Sequence, residues 1–185
     1  MQFFQRGLFN FIFSFAHRNG FLDALGIFVA NYFAYCVVIF VLLLIWRQKS
    51  KRARIAFFAE ACLVVQVSRG IIVEIIHFLY LHPRPSEIWG ITPLLAGSGS
   101  SFPSGYVTAY CALAAVVFVW HKRWGVALLV STVFIGVARI FVGVDWPLDI
   151  VGGIVIAVAS VWAVHALLRP YLRDLRFVTV ADHLI

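Results

Sequence analysis

Long apolar runs separated by short polar stretches make up most of the chain. The runs cover residues 22–46, 55–81, 107–120, 124–142 and 147–168. A helix needs about 20 apolar residues to cross a bilayer, so we expect the short third run to be extended at its start by the preceding serine- and glycine-rich segment. The pattern predicts an all-α integral membrane protein, a bundle of about five transmembrane helices.

The N-terminal segment is apolar but differs from these runs. Residues 2–17 are rich in phenylalanine and are interrupted by Arg6 and Asn10. The segment is too short to span a bilayer, and its pattern predicts a helix lying in the membrane interface with its phenylalanines in lipid. We therefore predict one membrane-embedded domain over residues 1–185, with a core bundle at 20–170 and a cytoplasmic tail at 171–185.

The composition supports a membrane protein. Hydrophobic residues make up 63% of the chain and charged residues only 12%, whereas soluble domains contain about 25% charged residues. The net charge of +7 comes mainly from residues at the ends of the apolar runs, which indicates a bilayer rather than a nucleic acid as partner. The three cysteines lie inside apolar runs without a CxxC pair, so neither a disulfide framework nor a metal site is predicted.

Lysine and arginine counts predict the orientation. Ten of these residues lie on one side, in 47–54, at 122–123 and at Arg169, Arg173 and Arg176, against three on the other side. The positive-inside rule places the ten in the cytoplasm of a multi-pass cell-membrane protein. The loops at 82–106 and 143–149 then both face the non-cytoplasmic side.

Three polar stretches share that side, at 77–84, 100–106 and 139–149. The middle stretch precedes an apolar helix, and the free backbone N–H groups of a helix start suit an anion such as phosphate. Taken alone, this stretch is better explained as a capped helix start after a loop. Its placement beside two arginine-containing stretches favours a shared anion site.

The order and spacing of Arg84-Pro85, Pro103-Ser104-Gly105 and Arg139 with Asp149 resemble the type 2 phosphatidic-acid phosphatase superfamily. The resemblance covers roughly residues 20 to 170. The chain length and short N-terminal helix look most like the bacterial undecaprenyl-diphosphate phosphatases. The resemblance implies a helical bundle that acts on lipid phosphates without a metal or other cofactor.

The resemblance also implies a phosphate-binding set. Arg84 and Arg139 match the arginines that hold phosphate oxygens, a role suited to the planar guanidinium fork. Ser104 and the backbone N–H of Gly105 match the remaining donors. His77 stands where the family has a lysine, and as a histidine it can still donate a hydrogen bond to phosphate.

The family's two reactive histidines are both replaced. Tyr106 stands at the proton donor and Asp145 at the nucleophile, while Asp149 matches the carboxylate that orients that nucleophile. Asp145 could attack phosphorus, or it could cap the following helix. A tyrosine hydroxyl, with an ordinary pKa of about 10, is a weak acid near neutral pH. His82 lies outside the motif positions. It is either an exposed loop residue or a substitute acid or base.

Several ionisable residues fall inside the apolar runs. Glu60, Arg69 and Glu74 lie in the second run, where such residues are paired or functional. We expect Arg69 to pair with either Glu74 or Glu60. Arg139 has no acidic residue one turn away in its own helix, so its partner comes from elsewhere in the bundle or from a ligand anion.

Three functions follow from these observations. The first is binding of a lipid phosphate or diphosphate, such as undecaprenyl diphosphate or phosphatidic acid, at the outer face, with hydrolysis open. The second is a catalytically inactive relative that binds phospholipid head groups or partners with another membrane protein. The third is a transporter that uses the charged residues of the second run. The sequence sets neither the lipid nor the oligomeric state.

Overall fold

A computed structural model describes the backbone of residues 2–181 and the side chains of residues 5–171. Seven helices form the regular structure of this described part, which contains no strand. They are α1 Gln2–Phe13, α2 Gly20–Trp46, α3 Lys51–Leu79, α4 Pro85–Trp89, α5 Gly105–Trp120, α6 Lys122–Phe141 and α7 Pro147–Ala181. The prediction of an all-α membrane protein is confirmed.

Four of these helices are long and apolar enough to cross a membrane. They are α2, α3, α6 and the Pro147–Tyr171 part of α7. Helix α5 is apolar but has only 16 residues, a length of about 24 Å. It begins at Gly105, so the predicted extension into the serine- and glycine-rich segment amounts to two residues.

Helix α5 lies at the centre of the bundle and packs against α3, α6 and α7. Two glycines on its neighbours allow this close packing. A Cβ atom at Gly125 of α6 would overlap the backbone of Phe118, and one at Gly153 of α7 would lie 2.9 Å from the carbonyl oxygen of Ser104. The backbone of α7 therefore approaches the start of α5, where Ser104 N–H donates to the Asp149 carbonyl at 3.0 Å.

Helices α2 and α3 each contain a π-helical segment, at Phe28–Tyr32 and Gln66–Val73. π-Helical turns shift the direction of the side chains that follow and often occur at functional sites. Both segments contribute a polar side chain to the same cleft, Asn31 from α2 and Arg69 from α3.

Helix α1 packs against the end of the bundle formed by α6 and α7. Phe9 is completely buried, with ring centroids 5.0 Å from Trp146 and 5.4 Å from Trp89. The expectation that the phenylalanines of this segment all lie in lipid is therefore wrong for Phe9, whereas Phe11 is 66% exposed. Phe9 and Phe11 lie on opposite faces of α1, because they are two residues apart, but which face is buried depends on where α1 docks.

Helix α7 extends beyond the predicted end of the fifth span at residue 168. It continues through Pro170 to Ala181, so much of the expected tail is helical. Residues 182–185 of the predicted tail lie outside the described residues.

Candidate functional site

The three polar stretches meet at one cleft of about 680 Å³, at the end of the bundle where α3 ends and α5 begins. Side chains from α2, α3, α5, α6 and the connecting loops line it. The ionisable side chains in its wall include Arg69, His77, Arg84, Tyr106, Arg139 and Asp145. The topology alone brings these residues together from positions up to 76 residues apart in the sequence.

The carboxylate of Asp145 lies at the centre of the predicted phosphate-binding set. Arg84 Nη1 donates to Oδ1 at 3.0 Å, and Arg139 donates from Nε to Oδ2 at 2.8 Å and from Nη2 to Oδ1 at 3.3 Å. The Ser104 hydroxyl donates to Oδ2 at 2.7 Å. Asp145 is 1% exposed. A carboxylate of the protein thus takes the position that the sequence resemblance assigns to a phosphate group.

Arg84 is fixed in this position by backbone carbonyl groups. Its guanidinium donates to the carbonyl oxygens of Ser98, Gly99, Ser100 and Val144 at 2.8–3.3 Å. The glycine- and serine-rich loop is therefore wrapped around the arginine. Because four carbonyl groups hold the side chain, its positive charge stays directed at Asp145.

Ser104 has two roles in the structure. Its side chain is the N-cap of α5, accepting from Val107 N–H at 3.4 Å, and the same hydroxyl donates to Asp145. The capped-helix interpretation and the anion-site interpretation of this stretch are thus compatible. The alternative that Asp145 caps α7 is wrong, because the capping contact to Trp146 N–H comes from Asp149 Oδ2 at 2.7 Å.

Asp149 faces a histidine that the motif comparison leaves out. Its Oδ1 atom is buried, makes no hydrogen bond to any described residue, and lies 3.9 Å from His82 Nδ1. His82 Nδ1 in turn lies 2.8 Å from the Ser101 hydroxyl. Burial lowers the pKa of the His82 imidazole, which favours its neutral form at neutral pH.

His82 is therefore not the exposed loop residue that the sequence suggests, since its side chain is only 26% exposed. It also does not line the cleft. It lies in a separate small pocket with Arg6 and Trp146, and a role as a substitute acid or base stays a prediction. No sequence motif marks the approach of His82 to Asp149, which depends on how the 80–84 segment crosses the start of α7.

Tyr106 lies beside the anion site without contacting Asp145. The guanidinium carbon of Arg139 is 4.3 Å from the centroid of its ring, which is a cation–π contact. Its hydroxyl donates to Asn31 Oδ1 at 3.1 Å. The side chain at the family's proton-donor position thus supports Arg139 and has its own proton engaged with α2.

His77 and Arg69 form the outer part of the cleft. His77 Nε2 lies 3.0 Å from the carbonyl oxygen of Pro103, so this nitrogen carries the proton. Arg69 forms an ion pair with Glu74, the first of its two predicted partners. Its guanidinium also lies against Gly105, where an added Cβ atom would be 3.0 Å from Arg69 Cζ.

Glu60 belongs to a different cluster in the other half of the bundle. It is completely buried, accepts from Trp120 Nε1 at 2.7 Å and lies 2.6 Å from His165 Nδ1. Glu60 and Glu74 are separated by about 20 Å along α3. The two carboxylates therefore belong to separate clusters in the described part of the bundle, and the transporter hypothesis stays a prediction.

The charges of the cleft indicate an anion as ligand. Of the described residues that line the cleft, three are arginines, Arg69, Arg84 and Arg139, and two are carboxylates, Glu74 and Asp145. Among the described residues, no group of three or more His, Cys, Asp or Glu side chains is placed to hold a metal ion. The site is therefore equipped to neutralise negative charge with guanidinium and hydroxyl donors.

Comparisons with known proteins test the family resemblance seen in the sequence. The family model of the PAP2 superfamily matches residues 61–172, which contain all three motifs. Undecaprenyl-diphosphatase BcrC of Bacillus subtilis is 26% identical over 168 residues, covering 89% of this chain and 86% of that protein.

Two solved structures share the fold. Aquifex aeolicus LpxE superposes with a TM-score of 0.69 at 22% identity, covering 85% of this chain and 92% of that one. The PAP2 type phosphatidylglycerolphosphate phosphatase of Bacillus subtilis has a TM-score of 0.67 at 18% identity, with 90% and 85% covered. The predicted family and helical architecture are confirmed.

Proposed function

Because the chain belongs to the PAP2 superfamily, we propose that it binds the phosphate head of a membrane lipid through Arg84, Ser104 and Arg139. The lipid tail remains in the bilayer while the head enters the cleft. The positive-inside distribution of lysine and arginine supports a cleft on the non-cytoplasmic side of the cell membrane.

One observation carries this proposal. Arg84, Arg139 and Ser104 direct four hydrogen bonds at the two oxygens of a single buried carboxylate. A phosphate group offers the same kind of acceptor with more oxygens and more negative charge. A lipid phosphate would therefore compete with Asp145 for the same donors and displace its side chain on binding.

The family relationship supports particular lipids. A relative that aligns over most of the chain is named as an undecaprenyl-diphosphatase, and the motifs resemble those of phosphatidic-acid phosphatases. Undecaprenyl diphosphate and phosphatidic acid are accordingly the first ligands to test. Both place a phosphate head at the level of the cleft and an apolar tail in the bilayer.

Hydrolysis is a second candidate function, favoured by the contact of Asp145 with the phosphate-binding donors. In this reaction a carboxylate oxygen of Asp145 attacks phosphorus, and the bond from phosphorus to the leaving oxygen breaks. The leaving oxygen takes the hydroxyl proton of Tyr106. Water then hydrolyses the aspartyl phosphate, releasing phosphate and returning a proton to the tyrosine. Binding without hydrolysis is the better-supported function, because both reactive groups have other partners.

The test uses the full chain in lipid nanodiscs with undecaprenyl diphosphate and phosphatidic acid, measuring binding and phosphate release in parallel. We expect binding that weakens about tenfold in Arg139→Gln, from the loss of a charge-assisted contact. The matched control is Arg47→Gln, an exposed arginine outside the cleft. Phosphate release that disappears in Asp145→Asn would establish the second function. The proposal is wrong if neither lipid binds, or if Arg139→Gln binds the lipids as tightly as the wild type and Arg47→Gln do.

A further inference from the structure

We propose that Arg69 forms a second anion position in the cleft, which selects lipids carrying a diphosphate over lipids carrying a single phosphate. This inference rests on the proposed function, because it concerns a second phosphate of the same bound lipid. None of the three family motifs includes Arg69, which lies eight residues before His77 in the π-helical part of α3.

The position of Arg69 depends on a glycine. A Cβ atom at Gly105 would lie 3.0 Å from both Cδ and Cζ of the arginine and closer still to Nε. Only a residue without a side chain therefore allows the guanidinium to rest against the first residue of α5. Gly105 thus serves Arg69 directly, in addition to the backbone donor role that the motif suggests.

The positive charge of Arg69 is neutralised differently from the charges of the two inner arginines, Arg84 and Arg139. Arg84 and Arg139 are buried and share the buried carboxylate of Asp145. Arg69 pairs with Glu74, and these side chains are 38% and 56% exposed. Ion pairs between exposed side chains are weak, so an entering phosphate can replace Glu74 at low cost. The positive end of the α5 dipole beside Arg69 adds to the attraction for an anion.

The two anion positions are neighbours. The inner position is the one that the Asp145 carboxylate fills, and Ser104 contacts that carboxylate. Gly105, the next residue, contacts Arg69 at the second position. Consecutive Cα atoms lie about 3.8 Å apart, so the two positions are contacted by adjacent points of the backbone at the start of α5. A diphosphate can therefore place its terminal phosphate between Arg84 and Arg139 and its inner phosphate against Arg69. A single phosphate occupies only one of these positions.

The experiment compares farnesyl diphosphate with farnesyl monophosphate, two probes with the same tail. Binding to the full chain in nanodiscs is measured for the wild type, Arg69→Gln, Glu74→Gln and the control Arg47→Gln. We expect the wild type to favour the diphosphate about tenfold, and Arg69→Gln to remove that preference while leaving monophosphate affinity within about twofold. Glu74→Gln frees Arg69 and is expected to raise diphosphate affinity about threefold.

The outcomes separate this inference from the proposed function. If the wild type binds neither probe, the proposed function itself fails. If it binds both probes equally, or if Arg69→Gln weakens both by the same factor, the inference is overturned while the proposed function stands. Should Arg69→Gln fail to fold, Glu74→Gln decides, because structural damage would not raise affinity for one probe. Unchanged selectivity in Glu74→Gln would overturn the inference.

Discussion

Asp145 is the residue whose role depends most on the folded structure. From the sequence, it replaces a nucleophilic histidine and is either a new nucleophile or a helix cap. Its actual partners Arg84 and Ser104 lie 61 and 41 residues earlier in the chain, a separation that no local pattern reports. The motifs predict which donors surround the site, but they do not reveal that the protein supplies its own anion to them.

Restoring the family's histidines tests whether these donors form a competent phosphate site. The double variant Tyr106→His with Asp145→His removes the internal carboxylate and returns a nucleophile and an acid to the cleft. We expect the double variant to release phosphate from undecaprenyl diphosphate faster than the wild type does. The control is the triple variant that also carries Arg139→Gln, which should release none. A folded double variant without any activity would argue against the assignment of the donors.

At the scale of the elements, the start of α5 is the best-predicted feature and the π-helical segments are the least predictable. The serine, glycine and proline residues at 100–106 mark the helix start, and Gly153 lets α7 approach that start closely. The π-helical turns of α2 and α3 leave no comparable sequence signal. They place the side chains of Asn31 and Arg69 in the wall of the cleft.

Gly153 connects helix packing to the site. In Gly153→Ala the added Cβ atom would lie 2.9 Å from the Ser104 carbonyl oxygen and 3.0 Å from Thr108 Oγ1. We expect a loss of about 1–3 kcal/mol in stability from this overpacking, together with weaker lipid binding as α7 moves away from Ser104. Thermal unfolding and lipid affinity measure the two effects. Gly7→Ala is the matched control, since nothing lies within 4 Å of a Cβ atom at Gly7; an equal loss in both variants would contradict the argument.

At the scale of the whole molecule, the hydrophobic pattern was sufficient for the fold class because a bilayer requires long apolar helices. The hydrophobic pattern does not show that the charged residues of the second span belong to two separate groups. Arg69 and Glu74 face the cleft, whereas Glu60 is buried with Trp120 and His165. The difference depends on which neighbours each turn of α3 meets, and this is a property of the assembled bundle.

The orientation of the bundle gives a prediction at this scale. In a variant with Cys36, Cys62 and Cys111 changed to alanine, a single cysteine is introduced at Ser98 in the cleft loop. We expect a membrane-impermeant maleimide to label it from the outside of intact cells, because the positive-inside rule predicts that the basic loops lie in the cytoplasm. A cysteine at Lys49 should be labelled only after the membrane is opened. The reverse pattern would place the cleft on the cytoplasmic side.

The central claim is that Arg84, Ser104 and Arg139 bind a lipid phosphate in competition with Asp145. The most direct measurement is the affinity of the full chain for phosphatidic acid in the wild type and in Asp145→Asn, with Asp23→Asn as a control outside the cleft. Removing the internal carboxylate leaves two buried arginines without their anion, so we expect Asp145→Asn to bind about tenfold more tightly. Affinity that is unchanged or reduced in a folded Asp145→Asn variant would contradict the claim.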